Sequence, residues 1–268
     1  MATTKVISLS AQLKELWQFR ELITTFVWRD LKTRYRQTSL GIMWTMIQPL
    51  FMTIVFTVIF SKFLKVSTNG IPYPVFSYLA LATWTFISRS IASGPTNIIA
   101  NYGIFAKVYF PREVIPLSSI ISALIDFFVA SLVYLLLLAI YGISLSWHLI
   151  FLPVILLAQI LLAIAFTLFS AGTTIIFRDL QFAYPFFIQL LMYGSPIIYS
   201  VRNLQEKYKL LFYFNPITGI VEGYRSIFLY HEVPNFIYLG ISIGFSLIFL
   251  PLSYWLFKRI EKYLADVV

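Results

Sequence analysis

The stretch RDLKTRYRQTSLGIMWTMIQP, residues 29–49, separates a charged part of the chain from an apolar part. Charged side chains are dense up to Arg36, whereas none occurs between Gln37 and Ser61. A basic segment followed by about 20 uncharged residues suits a chain that passes from the surface of a bilayer into its interior. We therefore predict a basic helix on the membrane surface, followed by the first membrane span.

The composition is that of a membrane protein. Of the 268 residues, 59% are hydrophobic and 12% are charged, and the mean hydropathy is +0.83, whereas soluble domains are about a quarter charged. The apolar residues form long blocks, not the alternating segments of about ten residues that build a transmembrane β-barrel. The predicted fold class is therefore an all-α polytopic membrane protein.

Residues 1–36 are the first of two predicted regions, a cytoplasmic amphipathic interface helix. Apolar side chains recur there at intervals of three and four, with the basic side chains largely on other faces. A helix too charged to span lies in the membrane interface. No signal peptide is expected, because the N-terminal residues lack a continuous apolar core. The apolar stripe comprises Leu9, Leu13, Leu16, Trp17, Ile23, Phe26, Val27, Leu31 and Tyr35.

Residues 37–268 are the second predicted region, a transmembrane domain with six spans. No residue between Phe127 and Phe177 is charged, which fits two spans joined by the neutral turn YGISLSWH. Residues 200–235 contain two amphipathic pieces separated by Asn215 and Pro216, so we predict short re-entrant or outer helices there. The predicted spans cover residues 40–60, 75–97, 115–140, 149–177, 183–199 and 236–257.

The distribution of Lys and Arg gives the predicted orientation. Thirteen of them lie in segments on the side of the N-terminus, and six lie on the other side. Cytoplasmic loops carry the excess of basic residues in membrane proteins, so both termini are predicted to be cytoplasmic. The net charge of +9 has the same origin, and no nucleic-acid partner is expected.

The chain has few residues suited to catalysis or metal binding. It has no cysteine, and His148 and His231 have no partner at the spacing of a metal site or a catalytic triad. No G-x-x-x-x-G-K-[ST] motif occurs. We therefore predict no catalytic residue, no metal and no cofactor on this chain. If ATP drives transport, ATP and Mg²⁺ bind a separate ATPase.

Two charged residues fall within predicted spans, Arg89 in the second and Asp126 in the third. Counted from the cytoplasmic ends at a rise of about 1.5 Å per residue, they lie at depths of roughly 12 and 16 Å. These depths allow an intramembrane ion pair. Three interpretations remain open: a structural ion pair, a polar contact that faces a substrate path, and a proton-coupling carboxylate.

The predicted cytoplasmic loop NYGIFAKVYFPREVIP, residues 101–116, combines aromatic and basic side chains with two prolines. Aromatic residues and Arg are typical anchors of protein interfaces. The loop is therefore a candidate docking element for a partner protein, although a plain connecting turn remains open from the residues alone. The candidate docking residues are Asn101, Tyr102, Gly103, Ile104, Phe105, Lys107 and Val108.

Five stretches together carry a family pattern. They are the opening stretch, KVYFPREVIPLSSIISALIDF (107–127), FRDLQFAYPFFIQLLMYGSPIIY (177–199), NPITGIVEGYR (215–225) and LFKRIEKYLADVV (256–268). With them the chain resembles the permease subunits of type-2 ABC exporters, in the branch that exports polysaccharides and polyol phosphates such as O-antigen, capsule and teichoic acid. The resemblance covers essentially the whole length.

The resemblance implies a homodimer of this chain with two copies of a nucleotide-binding ATPase subunit, and a lipid-linked glycan as substrate. It implies that the loop after the second span holds the coupling helix that the ATPase grips. It also implies that Glu222 and Arg225 belong to helices that cap the outer face. The residues before the first span are candidates for contact with a lipid pyrophosphate or anionic lipid where the substrate enters. They are Arg29, Lys32, Arg34, Tyr35 and Arg36.

Alternatives to export of an O-antigen-like glycan remain open. An exporter of the same class can carry a teichoic acid, a capsule or a lipophilic drug. A secondary carrier would use Asp126 as its coupling group. A membrane glycosyl- or acyltransferase is disfavoured, because the chain has no paired-carboxylate or histidine constellation.

Overall fold

The structure is a computed structural model that describes residues 9–36, 38–101, 103 and 110–261. All regular secondary structure within these residues is helical, as the sequence predicts. Short 3-10 or π turns extend several of the helices. The α-helices of this part of the chain are α1 Leu9–Gln18, α2 Arg20–Tyr35, α3 Trp44–Phe56, α4 Tyr73–Ala100, α5 Val114–Ile140, α6 Leu152–Ile176, α7 Leu180–Tyr193, α8 Glu206–Tyr213, α9 Pro216–Arg225 and α10 Phe236–Ile260.

Two helices, α1 and α2, cover the stretch for which one interface helix was predicted, and they meet at Phe19. Phe26, Val27 and Leu31 form the buried face of α2, which packs against α5. Gly41 follows with a φ of +53°, a conformation that glycine adopts without strain, and a 3-10 turn leads into α3. The apolar face of α2 is therefore covered by the helical bundle itself.

α4 lies at the centre of the bundle, where it packs against α5 and α6, and α6 packs along α10. Small residues let α4 and α6 approach closely, because a Cβ added at Gly94 would lie 2.6 Å from the Ser170 hydroxyl oxygen. The hydroxyls of Thr167 and Ser170 donate to the carbonyl oxygens of Ser90 and Ile91 at 3.0 and 2.9 Å. Small residues and interhelical hydrogen bonds are the usual basis of helix association in membranes.

Four segments in the described part of the chain are long and apolar enough to span a membrane. They are Gly41–Phe63, Val114–Ile140, Trp147–Ile176 and Phe236–Ile260, which correspond to the predicted first, third, fourth and sixth spans. The predicted second span corresponds to α4, which has 28 residues but does not reach the same hydropathy. Its hydroxyl-bearing residues and Arg89 make it less apolar.

The helix in the region of the predicted fifth span, residues 183–199, is shorter than the prediction. The corresponding helix, α7, begins at Leu180 and ends at Tyr193. Its 14 residues measure about 21 Å, less than the roughly 30 Å of a bilayer core. Pro196 disfavours a helical conformation at the residue before it, and the chain turns directly after α7.

α9 lies inside the bundle. All of its residues are buried, and it packs against α10 and α6. Asn215 caps it, since its side-chain oxygen accepts a hydrogen bond from the Ile217 N–H at 2.9 Å. The Asn215 amide nitrogen donates to the Gly194 carbonyl at 2.9 Å, which joins α9 to the turn after α7. The amphipathic sequence predicted a short re-entrant or outer helix here, and the helix found at this place is buried among its neighbours.

Candidate functional site

Asp126 of α5 is 4% exposed and binds side chains from two other helices. Arg89 of α4 donates to its Oδ2 atom at 2.5 Å, and Arg34 of α2 binds the same oxygen atom. The Tyr35 hydroxyl donates to Oδ1 at 2.9 Å. The structure therefore brings Arg89 and Asp126 together, and adds two residues from the basic helix that the sequence placed elsewhere.

The charges of this cluster balance. Arg34 also pairs with Asp30, one turn earlier in α2, at 2.8 Å, so that two carboxylates meet two guanidinium groups. Burial alone lowers the pKa of Arg34, but the negative charges of Asp30 and Asp126 together raise it. Burial and the Asp126 carboxylate raise the pKa of Tyr35, so this hydroxyl stays protonated and donates. Buried charges are tolerated when they are paired in this way.

A small cavity of about 10 Å³ lies beside Arg89 and Asp126. This is about the space that one water molecule needs. The cavity is lined by Thr45, Ala82, Thr85, Phe86, Arg89, Ala123, Asp126, Phe127 and Ala130. In this conformation the cavity beside the ion pair is therefore too small for a glycan or a drug.

Replacing Asp126 by Asn should destabilise the folded chain by roughly 3 kcal/mol, because removing one partner leaves a buried charge unpaired. Arg34 keeps Asp30, whereas Arg89 has no other ion-pair partner in the described residues. Reversible unfolding of the purified chain in detergent, followed by circular dichroism, measures the effect. Glu21→Gln, at a side chain that is 91% exposed, is the control. Wild-type stability of the Asp126 variant would contradict the structural interpretation.

α2 holds both ends of the predicted docking loop. Arg29 Nη2 donates to Asn101 Oδ1 at 2.6 Å, and the Asn101 amide donates to the Asn97 carbonyl at 2.7 Å. At the other end, Phe26 packs against Phe110 with ring centroids 5.9 Å apart. Of the predicted docking residues, Asn101 is buried and Gly103 is exposed, while Tyr102, Ile104, Phe105, Lys107 and Val108 lie outside the described residues.

One face of α2 borders an open groove of about 670 Å³. The groove is lined by Thr24, Thr25, Trp28, Arg29, Lys32, Thr33 and Arg36. Three of these residues are basic and none is acidic. Burial lowers the pKa of Arg29 from its usual value, but a guanidinium group stays charged in proteins. Of the residues predicted to contact the substrate, Arg29, Lys32 and Arg36 thus line the groove. Arg34 and Tyr35 contact Asp126 instead.

Arg225, predicted to lie in a helix on the outer face, is fully buried in α9. Its Nη1 atom pairs with Glu222 at 2.8 Å, and its guanidinium group lies 3.6 Å from the ring centroid of Phe76. It also donates hydrogen bonds to three carbonyl oxygens in the turn after α7. These belong to Pro196 at 2.7 Å, Ile197 at 2.9 Å and Tyr199 at 3.1 Å. Arg225 therefore holds this turn against α9.

A further ion pair joins the N-terminal end of α5 to the C-terminal end of α10. Glu113 is 3% exposed, pairs with Lys258 at 2.5 Å and accepts a hydrogen bond from the Tyr254 hydroxyl at 3.1 Å. Sequence reasoning did not find this contact. No periodicity links residues so far apart in the chain, and Glu113 and Lys258 both occur in ordinary charged segments beside spans.

His148 lies in the 3-10 turn before α6, and His231 follows the π turn after α9. His148 Nδ1 is 3.0 Å from the Ser146 hydroxyl oxygen, and His231 has a left-handed backbone with a φ of +52°. Across the ranges that the structure describes, no group of three or more His, Asp or Glu residues is arranged to hold a metal ion. The described site therefore consists of ion pairs, hydrogen bonds and packing contacts.

These features define a helical membrane protein with a basic helix, α2, at one side of its apolar helices. This helix contacts the buried carboxylate of Asp126 and also holds the docking loop. The chain belongs to the ABC-2 type transporter family, whose sequence profile matches residues 21–229. The match covers α2, the docking loop and the helices as far as the turn after α9. It is thus a membrane transport protein.

Several relatives resemble the chain over most of its length. It is 30% identical over 226 residues to the O-antigen export system permease protein RfbA of Myxococcus xanthus. The match covers 83% of this chain and 86% of the relative. It is 28% identical over 250 residues to RfbA of Klebsiella pneumoniae, with 92% and 95% covered. It is 26% identical over 229 residues to the polysialic acid transport protein KpsM of Escherichia coli, with 82% and 84% covered.

Proposed function

We propose that this chain is the transmembrane subunit of an ATP-driven exporter. It moves a lipid-linked, O-antigen-like polysaccharide from the cytoplasm across the inner membrane. The observation that carries this proposal is the similarity to O-antigen export permeases over 92% of the chain. The identity to a polysialic acid transport protein is lower, so a polysaccharide of that kind is the second candidate substrate.

The exporter contains two copies of this chain and two copies of a separate ATPase subunit. The absence of a phosphate-binding G-x-x-x-x-G-K-[ST] motif supports a separate ATPase, which holds ATP and Mg²⁺. The loop between α4 and α5 is the element that the ATPase grips. The contacts of Arg29 with Asn101 and of Phe26 with Phe110 support this role, because they hold the ends of the loop firmly.

The chain crosses the membrane six times, with α4 and α7 as the second and fifth spans and both termini in the cytoplasm. The ion pair with Asp126 supports α4 as a span, since a neutralised arginine is less costly inside a bilayer than a free one. The turn held by Arg225 supports α7, because it brings the chain after this short helix back against buried α9.

Single-cysteine labelling tests α7 as a span, and the chain suits this test because it has no cysteine of its own. Asp179 and Gln205 flank α7 and are both exposed. In intact spheroplasts, a membrane-impermeant maleimide should label Gln205→Cys and should not label Asp179→Cys until the cells are lysed. Ser144→Cys, in the exposed turn after α5, is the control for outer labelling. Labelling of positions 179 and 205 from the same side would contradict six spans.

The function is tested by inactivating the gene for this chain and measuring the polysaccharide on the cell surface. We expect the polysaccharide to disappear from the surface and its lipid-linked form to accumulate inside the cell. Export should return with this chain and its ATPase, and should fail when the P-loop lysine of the ATPase is replaced by Ala. Transport by this chain alone that stops on addition of an uncoupler would instead identify a secondary carrier.

The groove beside α2 is where the phosphate groups of the lipid-linked substrate pass. Three basic side chains without an acidic neighbour in the lining support this role, because basic residues at a membrane surface attract anionic headgroups by about 1 kcal/mol each.

Replacing Lys32 and Arg36 together by Gln should therefore lower export by roughly tenfold to thirtyfold, at about 1 kcal/mol for each lost charge. Both side chains are exposed, so the complex should still assemble. Replacing the exposed Lys14 and Arg20 by Gln is the matched control, since neither residue lines the groove. The measurement is surface polysaccharide at equal amounts of protein. Unchanged export would contradict the proposal that the phosphate groups of the substrate pass through the groove.

A further inference from the structure

We propose that Asp126 is a positioning residue for transport, which joins α2 to α4 and α5 so that these helices follow the docking loop together. The inference rests on the proposed function, because it requires an ATPase to move this loop. It gives the intramembrane ion pair a role in transport that neither its depth nor its pairing alone implies.

The three helices are first held together at the docking loop. α4 ends at Ala100, just before the loop, and α5 begins at Val114, near the end of the loop. α2 contacts both sides through the hydrogen bond from Arg29 to Asn101 and the packing of Phe26 on Phe110. A force applied to the loop therefore acts on α2, α4 and α5 at once.

The same helices are held together again at Asp126. Arg89 is 11 residues from the end of α4, and Asp126 is 12 residues from the start of α5, so this contact lies about 16 to 18 Å from the loop along both helices. Arg34, about 8 Å along α2 from Arg29, reaches the same carboxylate. Contacts at two separate levels prevent one helix from sliding or tilting alone.

This geometry gives the Asp126 contact a mechanical consequence. With both levels in place, a displaced loop moves the three helices as one body, and the shift reaches the spans, as in hinge and shear transitions of packed helices. Without the contact from α2, the loop can displace α2 alone. ATP hydrolysis would then continue without a matching movement of α4 and α5.

The charges allow the α2 contact to be removed selectively. Arg34 and Tyr35 reach Asp126 from α2, whereas Arg89 reaches it from α4. Arg34→Gln with Tyr35→Phe therefore leaves Asp126 paired with Arg89. Asp30, the other partner of Arg34, has a side chain that is 23% exposed and reaches solvent. The double variant is thus expected to fold and to bind the ATPase.

The test compares surface polysaccharide in cells with ATP hydrolysis and thermal stability of the complex purified from them. For the double variant we expect surface polysaccharide to fall by at least about tenfold, as for a lost coupling free energy of common size. ATP hydrolysis and the melting temperature should stay close to those of the wild type. Arg34→Lys, which keeps the charge, should recover most of the export. Arg20→Gln, at the exposed start of α2, should change nothing.

Normal export by the double variant would overturn the inference. A parallel loss of export, ATP hydrolysis and thermal stability would also overturn it, because a contact that only stabilises the fold lowers all three. Failure of the proposed function would look different, since the wild-type complex would then hydrolyse ATP without producing any surface polysaccharide.

Discussion

Replacing Arg225 by Leu is expected to destabilise the folded chain by about 3 to 5 kcal/mol, the usual cost of breaking a buried ion pair. The change leaves the Glu222 carboxylate buried without its cation, and it removes the donor for three carbonyl oxygens in the turn after α7. Unsatisfied buried carbonyls add further cost. Little folded protein should remain in the membrane, and the measurement is the fraction that elutes as a single species after mild solubilisation.

Two further variants serve as comparisons: one breaks an exposed ion pair, and the other removes the unpaired carboxylate together with the arginine. Arg202→Leu breaks an ion pair with Glu232 in which both side chains are at least one-third exposed, and exposed pairs contribute about 0 to 1 kcal/mol. This variant should express normally. Glu222→Leu combined with Arg225→Leu removes the unpaired carboxylate and should recover part of the stability. Full stability of Arg225→Leu alone would show that the turn after α7 does not depend on this guanidinium group.

Gly219→Ala should separate α9 from α10. A Cβ at this position would lie 2.2 Å from the Tyr238 carbonyl oxygen and 2.3 Å from the Ser242 hydroxyl oxygen. The first of these atoms belongs to the backbone of α10 and cannot turn away, so one helix has to shift. Overpacking typically costs about 1 to 3 kcal/mol, and this contact should lie at the upper end. A lower melting temperature of the purified chain, with lost export, is the expected result.

Gly240→Ala is the matched control, because Gly240 lies in α10 and a Cβ there meets no atom within 4 Å. Alanine favours a helix more than glycine does, so this variant should equal or exceed the wild type in thermal stability. Gly223→Ala is an intermediate case, since the nearest atom would be a side-chain carbon of Ile155 at 3.3 Å. Equal stability of the variants at 219 and 240 would contradict the close contact between α9 and α10.

The helices were largely predictable, because each depends on the polarity of neighbouring residues. Four spans follow directly from apolar blocks, with bounds that differ from the prediction by at most a few residues. The breaks were less predictable. The interruption at Phe19 carries no glycine or proline signal. The end of α7 at Tyr193 does carry one, since Gly194 follows directly and Pro196 comes two residues later, but the apolar residues after Pro196 extended the predicted span to residue 199.

The contacts of the candidate site were predictable only where few charged residues lie at the same depth within the spans. Arg89 and Asp126 are the charged residues at similar depth in neighbouring spans, and the structure places them in contact. Arg34 and Arg36 look alike in sequence, but one turns to Asp126 and the other lines the groove. A rotation of α2 about its axis decides between them, and this rotation depends on how Phe26, Val27 and Leu31 pack on α5.

The sequence by itself determined the class of the protein. The loss of charge after Arg36 and the apolar blocks follow from side-chain polarity and composition, which need no knowledge of partners. Only the tertiary structure decided which charges meet. Arg34 with Asp126, Glu113 with Lys258, and Arg225 with the turn after α7 join separate elements. Such pairs depend on how helices pack in three dimensions, and no local pattern along the chain records that arrangement.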